Sequence, residues 1–345
     1  MSVGKDEAKR EIVLAVRGLG VQYQTRQGAV HAVTDVSFDV YANEVFGIAG
    51  ESGCGKSTLI RALLRLLPDN ATTTADTARY QQYDLLELPE EEFRSRIRWQ
   101  EISLVAQSAM NSFNPVYRVG DQVLESILTH RDMGRKQALE RVADLFDIVG
   151  LQADLMRSYP HEFSGGMRQR AMIAMALALD PGLIIMDEPT TGLDVLVQER
   201  ILRRIREIRS EIKSSIILIT HDIAVIAEMA DRIAVMYGGE IMEQATAIDL
   251  FESPYHPYTL GLNNAFPSIR NIGGELISIP GSPPTLIGPV VACPFQPRCP
   301  FSIDKCIHSN PPPVSLDEFH QVRCFCTDNP DEMRQRAKEK STWRS

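Results

Sequence analysis

The amino-acid sequence predicts an α/β fold built on a parallel β-sheet that is buried on both faces. Short apolar runs without polar alternation, rich in β-branched residues, are typical of such strands. The runs are Val45–Ala49, Leu183–Met186, Ser215–Ile219 and Arg232–Met236, and residues 197–213 supply a crossover helix between the second and the third. The chain has 345 residues, of which 44% are hydrophobic and 23% charged. These values match a globular protein of about two domains.

An antiparallel β subdomain and a helical subdomain accompany this sheet. Apolar and polar residues alternate from Ile12 to Val40, which predicts antiparallel strands, and Asn43 marks a turn before the next strand. Between residues 115 and 180 the periodicity becomes helical, in runs such as Val119–Leu128 and Lys136–Val149. We therefore expect a helical subdomain at about residues 112–180.

Beyond residue 265 prolines and cysteines accumulate. This composition predicts a loop-rich, cysteine-containing C-terminal extension that something other than a hydrophobic core holds together. The last residues are mostly charged, and we expect them to be disordered. The predicted organisation is a main domain over residues 1–264, a cysteine-containing region over 265–330 and a charged tail over 331–345.

Residues Gly50–Ser57 match the phosphate-binding pattern G-x-x-x-x-G-K-[ST]. The match follows the predicted strand at Val45 and precedes a predicted helix, Thr58–Leu67, before Pro68. Glycines let such a loop turn its N–H groups toward phosphate oxygens, and the helix N-terminus favours the negative charge. This context predicts a P-loop NTPase core of the RecA-like type. The residues expected to bind the triphosphate are Gly50, Ser52, Gly53, Gly55, Lys56, Ser57 and Thr58.

Two acids and a histidine follow later strands of the same sheet. Asp187 and Glu188 end the strand at Leu183, and His221 follows the strand at Ser215. In P-loop enzymes an Asp at a strand end helps to hold Mg²⁺ together with the Ser of the loop, and an adjacent Glu can deprotonate the attacking water. We expect Asp187 and Ser57 to be magnesium ligands and Glu188 and His221 to be catalytic. The alternative is that these are solvated residues at strand ends.

A second candidate anion site is the segment Ser164-Gly165-Gly166, which opens an apolar helix. One P-loop domain already has a phosphate site, so this segment requires another nucleotide. A dimer in which each subunit's Ser-Gly-Gly segment covers the other's triphosphate meets that requirement. The alternative is an ordinary helix cap with flexible glycines.

Composition and hydropathy argue against a nucleic-acid-binding surface, a membrane span and a signal peptide. The net charge of −9 gives no general electrostatic surface for nucleic acid. The apolar run Ala171–Leu179 is shorter than the roughly 18 residues that a membrane span needs. The polar N-terminus does not resemble a signal peptide. We expect a cytosolic protein whose membrane connection, if it has one, is made through a partner.

Taken together, these motifs resemble the ATP-binding subunit of ABC transporters. The order and spacing of the loop at Gly50, the segment at Ser164, the strand ending at Asp187 and the switch His221 match that family over about residues 11–245. The resemblance implies nucleotide-site roles for Gln107, which also ligates magnesium, for Asp194 in the segment Gly192–Asp194 and for Tyr23 as the adenine-stacking residue. A strand tyrosine buried for packing is the alternative for Tyr23.

Further segments resemble the oligopeptide/dipeptide importer branch of that family. They are Phe163–Arg170, Asn114–Asp121, His256–Thr259 and Cys293–Pro300, which extend the likeness to about residue 326. Gly192 stands where the branch commonly has Ala, and Ala106–Asn111 departs from its usual Phe-Gln-Asp-Pro. The second departure concerns coupling to membrane subunits and not ATP binding.

The resemblance implies an ATP-hydrolysing motor subunit at the cytoplasmic face of the membrane. Its implied partners are a second, distinct ABC ATPase subunit in a heterodimer, two transmembrane permease subunits and an extracellular substrate-binding protein. The implied cargo is oligopeptides or dipeptides, with oligosaccharides or nickel as alternatives in the same branch. A soluble ABC ATPase that acts on ribosomes or DNA is a more distant alternative, because such proteins generally carry two nucleotide domains or long coiled coils.

Five of the six cysteines lie between residues 293 and 326. In a reducing compartment such a group indicates metal binding before disulfides. The spacing of Cys293, Cys299, Cys306 and Cys324 provides no C-x₂₋₄-C pair of the kind usual for zinc, and four thiolates on a loose loop suit an iron–sulfur cluster better. The family resemblance implies a [4Fe–4S] cluster here. Zinc, free thiols or disulfides remain alternatives, and Cys326 could replace Cys324 as a ligand.

Overall fold

We describe the fold from a computed structural model, which covers residues 10–107, 112–191, 193–209, 213–265 and 277–343. The strands are β1 (Ile12–Thr25), β2 (Gly28–Tyr41), β3 (Val45–Ala49), β4 (Ala71–Thr74), β5 (Thr77–Tyr80), β6 (Tyr83–Asp84), β7 (Ile102–Val105), β8 (Leu183–Asp187), β9 (Ser215–Thr220), β10 (Arg232–Tyr237), β11 (Glu240–Thr246), β12 (Val314–Ser315) and β13 (Gln321–Val322).

The helices are α1 (Lys56–Leu63), α2 (Glu90–Glu92), α3 (Val119–His130), α4 (Arg135–Ile148), α5 (Gly165–Ala176), α6 (Val195–Arg209), α7 (Ile223–Met229), α8 (Ala247–Glu252), α9 (Pro257–Ala265), α10 (Asp304–His308) and α11 (Pro330–Ala337). Short 3-10 or π segments cover Phe93–Ile97, Ala153–Arg157, Pro160–Glu162, Gln296–Arg298 and Lys340–Trp343. No helix within the described ranges is both long enough and apolar enough to cross a membrane.

The main sheet has the strand order β12-β13-β11-β10-β3-β9-β8-β7, in which β10, β3, β9, β8 and β7 run parallel. This confirms the predicted parallel sheet. Alternate residues of its strands face two different cores. In β8, Ile184 and Met186 pack with helices α3 to α6, whereas Leu183 and Ile185 pack with α1 and the antiparallel strands. Burial on both faces explains why these strands are apolar without alternation.

The antiparallel subdomain forms as predicted from the alternation. β1 and β2 pair along most of their length, from Ile12 opposite Tyr41 to Thr25 opposite Gly28. β4 and β5 add to β1, in a stretch that the sequence left without predicted elements. The predicted turn at Asn43 has a positive φ of 58°, which asparagine tolerates better than most residues.

Helices form in the predicted helical region, but some predicted bounds are wrong. α1 ends at Leu63 and not at Leu67, because Arg65 adopts a positive φ of 53° that no continuing helix allows. The crossover helix α6 begins at Val195, and residues 210–212 of its predicted C-terminal end lie outside the described residues.

The prediction of a coreless extension with a disordered tail is wrong for the described residues. Phe295, Met333 and Trp343 are buried in the same core as Tyr258 of α9. Pro330 to Ala337 form a helix, and strand β13 pairs with β11, which joins the extension to the main sheet. The apolar residues that do this are few and irregularly spaced among prolines and charges, so the sequence shows no periodic signal for them.

We expect the change Trp343→Ala to destabilise the protein. The indole is 4% exposed and donates a hydrogen bond from Nε1 to the Ala337 carbonyl at 2.8 Å. Truncating a buried Trp typically costs about 3–5 kcal/mol. Urea unfolding followed by tryptophan-independent circular dichroism measures the loss. Val291→Ala is the matched control, because Val291 is 73% exposed and its truncation should change the free energy of unfolding little. Equal stability of the two variants would contradict the buried position.

Candidate nucleotide site

The P-loop joins β3 to α1 at the carboxyl edge of the main sheet. Gly50 has a φ of 150°, and a Cβ on it would collide with the carbonyl of Met236 on β10. Glycine is therefore required where the chain leaves β3. Gly55 is the N-cap residue of α1, and Ser52 and Gly53 form the exposed tip of the loop. The predicted phosphate-binding residues thus surround one helix N-terminus.

The Lys56 side chain lies inside this loop. Its ammonium group donates to the carbonyl oxygens of Gly50 at 2.7 Å and Glu51 at 2.9 Å, and the residue is 5% exposed. Cys54, which is also buried, accepts a longer hydrogen bond from the same nitrogen at 3.6 Å. A buried cation at the centre of a loop at a helix N-terminus creates a strong anion site.

Ser57 and Asp187 meet across the gap between the loop and β8. The Ser57 hydroxyl donates to Asp187 Oδ1 at 3.0 Å. Burial raises the pKa of Asp187 above its ordinary value, although the Ser57 hydrogen bond opposes this. Mg²⁺ in nucleotide sites is held by one or two such oxygen ligands together with substrate phosphates. The hydroxyl and the carboxylate therefore fit the predicted magnesium site.

Glu188 is held by three side chains. Its Oε2 accepts hydrogen bonds from Gln107 Nε2 at 2.7 Å and Thr191 Oγ1 at 2.8 Å, and its Oε1 lies 3.1 Å from His221 Nδ1. Burial raises the pKa of Glu188, but these hydrogen bonds and the charge of His221 outweigh burial, so the pKa lies below its ordinary value. The side chain is consequently a carboxylate at neutral pH.

Tyr23 lies beside the start of α1. Its hydroxyl is 3.4 Å from Thr58 Oγ1, and its ring is partly buried against the core of the antiparallel subdomain. The residue is thus near the loop that binds the triphosphate, and its part-exposed position fits both the stacking and the packing interpretation.

The segment Ser164–Gly166, which is the second candidate anion site, makes its contacts with α5 and α6. Ser164 is exposed and caps α5, accepting a hydrogen bond from the Met167 amide at 3.3 Å. Gly166 packs so closely on α6 that a Cβ would collide with Val197. Asp194 accepts a hydrogen bond from the Val197 amide at 3.0 Å and is exposed. The segment thus offers a capped helix N-terminus to the outside.

The structure therefore divides the predicted residues into two groups. In the first, Ser57 is hydrogen-bonded to Asp187, and Gln107 and His221 are hydrogen-bonded to the adjacent Glu188. The second, formed by Ser164, Gly165, Gly166 and Asp194, is tied to α5 and α6. Gly192 and Ser108–Asn111, where the sequence departs from the resembled branch, lie outside the described residues.

Two functional contacts were missed at the sequence level. Thr191 donates to Glu188, and the Tyr258 hydroxyl accepts a hydrogen bond from the Glu51 amide at 3.0 Å. The position of Thr191, three residues after Glu188, could have suggested a turn that returns to that side chain. Nothing local connects Tyr258 to a loop 207 residues earlier.

The cysteines of the extension lie near one another. All six cysteines of the chain are free thiols. The Cys293 amide donates to the Cys306 carbonyl at 3.1 Å, and the Cys326 amide donates to Cys324 Sγ at 3.3 Å. Burial raises the pKa of Cys299, whose thiol also interacts electrostatically with other members of the group.

No group of three or more His, Cys, Asp or Glu side chains in the described part of the chain is arranged to hold a metal ion. The predicted iron–sulfur ligand set, Cys293, Cys299, Cys306 and Cys324, is therefore brought together but does not form a metal site as it stands. The prediction of a metal centre is not confirmed.

Comparison with known families agrees with this geometry. Residues 33–191 match the family described as "ABC transporter", and residues 242–306 match "Oligopeptide/dipeptide transporter, C-terminal region". The chain is 43% identical to the dipeptide transport ATP-binding protein DppD of Bacillus subtilis, over 92% of this chain and 96% of that protein. It is 44% identical to the oligopeptide transport ATP-binding protein OppD of Salmonella typhimurium, over 91% and 93%.

Solved structures share the fold. The chain matches cbiO1 from Clostridium perfringens, part of the ABC transporter complex cbiONQ, with a TM-score of 0.62 at 25% identity over 71% of this chain and 92% of that one. The ATP-binding cassette MJ0796, bound to ADP and Pi, matches with a TM-score of 0.59 at 24% identity over 68% and 98%. Both likenesses confirm the predicted P-loop α/β core.

We expect the change Glu188→Gln to abolish hydrolysis and to preserve ATP binding. The amide keeps the shape of the side chain but cannot accept a proton, and loss of a general base typically costs about 10²- to 10⁴-fold in rate. Phosphate release and binding of a fluorescent ATP analogue measure the two effects. Glu91→Gln, a change at an exposed acid of α2, is the control. Undiminished turnover in the Glu188 variant would remove this residue as the base.

Proposed function

Because the chain belongs to the ABC transporter ATP-binding subunits that carry the oligopeptide/dipeptide transporter C-terminal region, we propose that it is the ATP-hydrolysing motor of a peptide importer. The observation that carries the proposal is the linked site in which Gln107, Thr191 and His221 hold Glu188 beside the Ser57–Asp187 pair. The relatives are named as dipeptide and oligopeptide transport proteins, which supports peptides as the cargo.

Each residue of the site has a distinct task in hydrolysis. Lys56 and the amides of Gly53 and Gly55 bind the phosphates, and Tyr23 stacks on the adenine. Ser57, Gln107 and Asp187 hold Mg²⁺, which neutralises charge on the phosphates when it is bound. Glu188 takes the proton of the attacking water. Because its pKa lies below the ordinary value, the Glu188 side chain is ionised at neutral pH and is in the form that a base requires.

We infer that Gln107 also transmits changes at the site to a surface for the membrane subunits. It donates to Glu188 at 2.7 Å, and shortly after it in the chain Val116 and Tyr117 are 69% and 58% exposed. Exposed apolar side chains of this size suit a protein partner. We place the contact with the two permease subunits here, so that a change at Glu188 is passed to them through Gln107.

A second ATPase subunit completes the site. The segment Ser164–Gly166 forms an exposed N-terminus of α5, which supports a head-to-tail pair in which it covers the partner's nucleotide. The partner is a similar but distinct ATPase, as in a heterodimer. The assembly lies at the cytoplasmic face of the membrane and receives cargo from an extracellular substrate-binding protein.

The proposed division of the chain follows these tasks. Residues 1–264 form the ATP-binding domain, with its helical subdomain at about 112–180. Residues 265–330 form the oligopeptide-transporter region with the cysteines, and residues 331–345 form the tail.

The experiment that tests the function uses the whole transporter in proteoliposomes. ATPase activity is measured while the binding protein is loaded from a panel of di- and oligopeptides, oligosaccharides and nickel. We expect stimulation by peptides only, and none in a transporter that carries Glu188→Gln. Stimulation by a sugar or by nickel alone would contradict the peptide assignment. Hydrolysis that no loaded binding protein alters would contradict the importer itself.

We also propose that Cys293, Cys299, Cys306 and Cys324 hold a [4Fe–4S] cluster, with Cys326 as the other candidate for the fourth ligand. The support is that these cysteines are free, lie near one another and include no C-x₂₋₄-C pair of the zinc type. Each cysteine would bind a different iron.

The measurement is iron and labile sulfide per chain after anaerobic purification. We expect about four of each, and a loss of both in Cys306→Ser. Cys54→Ser changes a cysteine outside the group and should leave the iron content unchanged. Colourless protein without iron or sulfide would contradict the cluster, and zinc in its place would support the alternative.

A further inference from the structure

The P-loop contains an acid, Glu51, whose negative charge opposes the binding of a triphosphate. Glu51 follows Gly50 directly, and its carbonyl accepts a hydrogen bond from Lys56 at 2.9 Å. A loop that binds a triphosphate gains from positive charge, and a carboxylate in the same loop repels the ligand. The loop therefore works best if this carboxylate is neutralised by a partner that does not itself occupy the phosphate site.

Arg298 of the C-terminal extension is that partner. Its Nη1 donates to Glu51 Oε2 at 2.8 Å and its Nη2 donates to Glu51 Oε1 at 3.1 Å, in a bidentate pair. The Arg298 side chain is 7% exposed and that of Glu51 is 25% exposed. Bidentate arginine–carboxylate pairs are strong and fix the carboxylate plane, and partial burial reduces their screening by solvent.

Arg298 is itself held rigidly. Its Nε donates to the Pro280 carbonyl at 2.7 Å, Nη1 donates to the Tyr237 hydroxyl at 3.2 Å, and the guanidinium lies 5.6 Å from the centre of the Tyr237 ring. It belongs to the short turn Gln296–Arg298, between two of the clustered cysteines. A fixed guanidinium can position the group that it binds.

The backbone of Glu51 is held from the same side. Its amide donates to the Tyr258 hydroxyl at 3.0 Å, and the Tyr258 ring packs on Tyr237 at 4.6 Å and on Phe295 at 5.2 Å. Phe295 lies three residues before Arg298. The extension thus contacts both the side chain and the main chain of the same P-loop residue.

We propose that Arg298 is a positioning residue for the P-loop, which neutralises and orients Glu51 so that the loop accepts the triphosphate. The effect acts on phosphate binding and leaves the groups around Glu188 untouched. It extends the role of the cysteine-bearing loop from a separate appendage to a part of the nucleotide site. The role of Arg298 rests on ATP binding at the P-loop and not on the cargo. The Arg298 proposal can therefore fail while the importer function holds, and the peptide cargo can be wrong while the role of Arg298 holds.

The test measures binding of ATP, ADP and AMP to the purified full-length chain by calorimetry. In Arg298→Gln the Glu51 carboxylate is left unpaired, and we expect the ATP dissociation constant to rise about tenfold, a 1.4 kcal/mol effect. The rise should be smaller for ADP and smallest for AMP, because the repulsion acts on the phosphates. The double variant Arg298→Gln/Glu51→Gln should recover ATP affinity to within about threefold of the unmodified chain.

Arg334→Gln is the matched control. Arg334 also lies in the extension, donates to the carbonyls of Pro254 and Ser253, pairs with Asp331 at 2.8 Å and stacks on Tyr255, but it does not contact the P-loop. Its loss should leave the affinities for all three nucleotides unchanged. A purely structural role of Arg298 would instead weaken ATP and AMP binding equally.

Two outcomes overturn the proposal. One is an ATP affinity in Arg298→Gln within about threefold of the unmodified chain. The other is a double variant as weak as the single one, because it would show that the carboxylate is not the cause. If Arg298→Gln alone does not fold, Glu51→Gln is compared with the double variant. Equal ATP affinities support the proposal, and a weaker double variant overturns it.

Discussion

The parallel hydrogen bonding of three neighbouring strands fixes the relative positions of the P-loop, the two acids and His221 in the nucleotide site. β3 pairs with β9, and β9 pairs with β8, with Ala49 opposite Thr220 and Asp187 opposite Ile219. The P-loop, the two acids and His221 directly follow these strand ends, so the sheet sets the distances between them. A shift by one residue would move one group by about 3.3 Å, more than a hydrogen bond tolerates. Helices and loops then add the groups that the sheet cannot supply.

The elements and site residues that could be predicted from the sequence are those that local sequence patterns determine. The buried strands were found because burial on both faces removes polar alternation, and the run Leu183–Met186 differs from the observed β8 by one residue. The P-loop and the acids after β8 were found because their chemistry requires particular residues in a fixed order. The end of α1 was placed too late, since Pro68 shows only where a helix can no longer continue.

What could not be predicted depends on contacts between distant parts of the chain. Arg298 and Glu51 are 247 residues apart, and no local sequence pattern around either residue predicts the contact between them. Likewise Trp343 stands alone in a charged stretch, and its burial results from packing against Gly261 of α9 and not from any sequence pattern. The thiols are close in space, as their spacing suggested, but spacing does not determine whether they are placed as ligands.

The connection between Arg298 and Glu51 has a consequence for synthesis of the protein. A growing chain contains the P-loop, Asp187, Glu188 and His221 well before residue 298 is made, and domains fold from the N-terminus as they emerge from the ribosome. Until the extension folds, the nucleotide loop keeps its unneutralised acid. On this proposal, chains that are cut short before residue 298 have every residue assigned to catalysis but bind ATP about tenfold more weakly than the full chain.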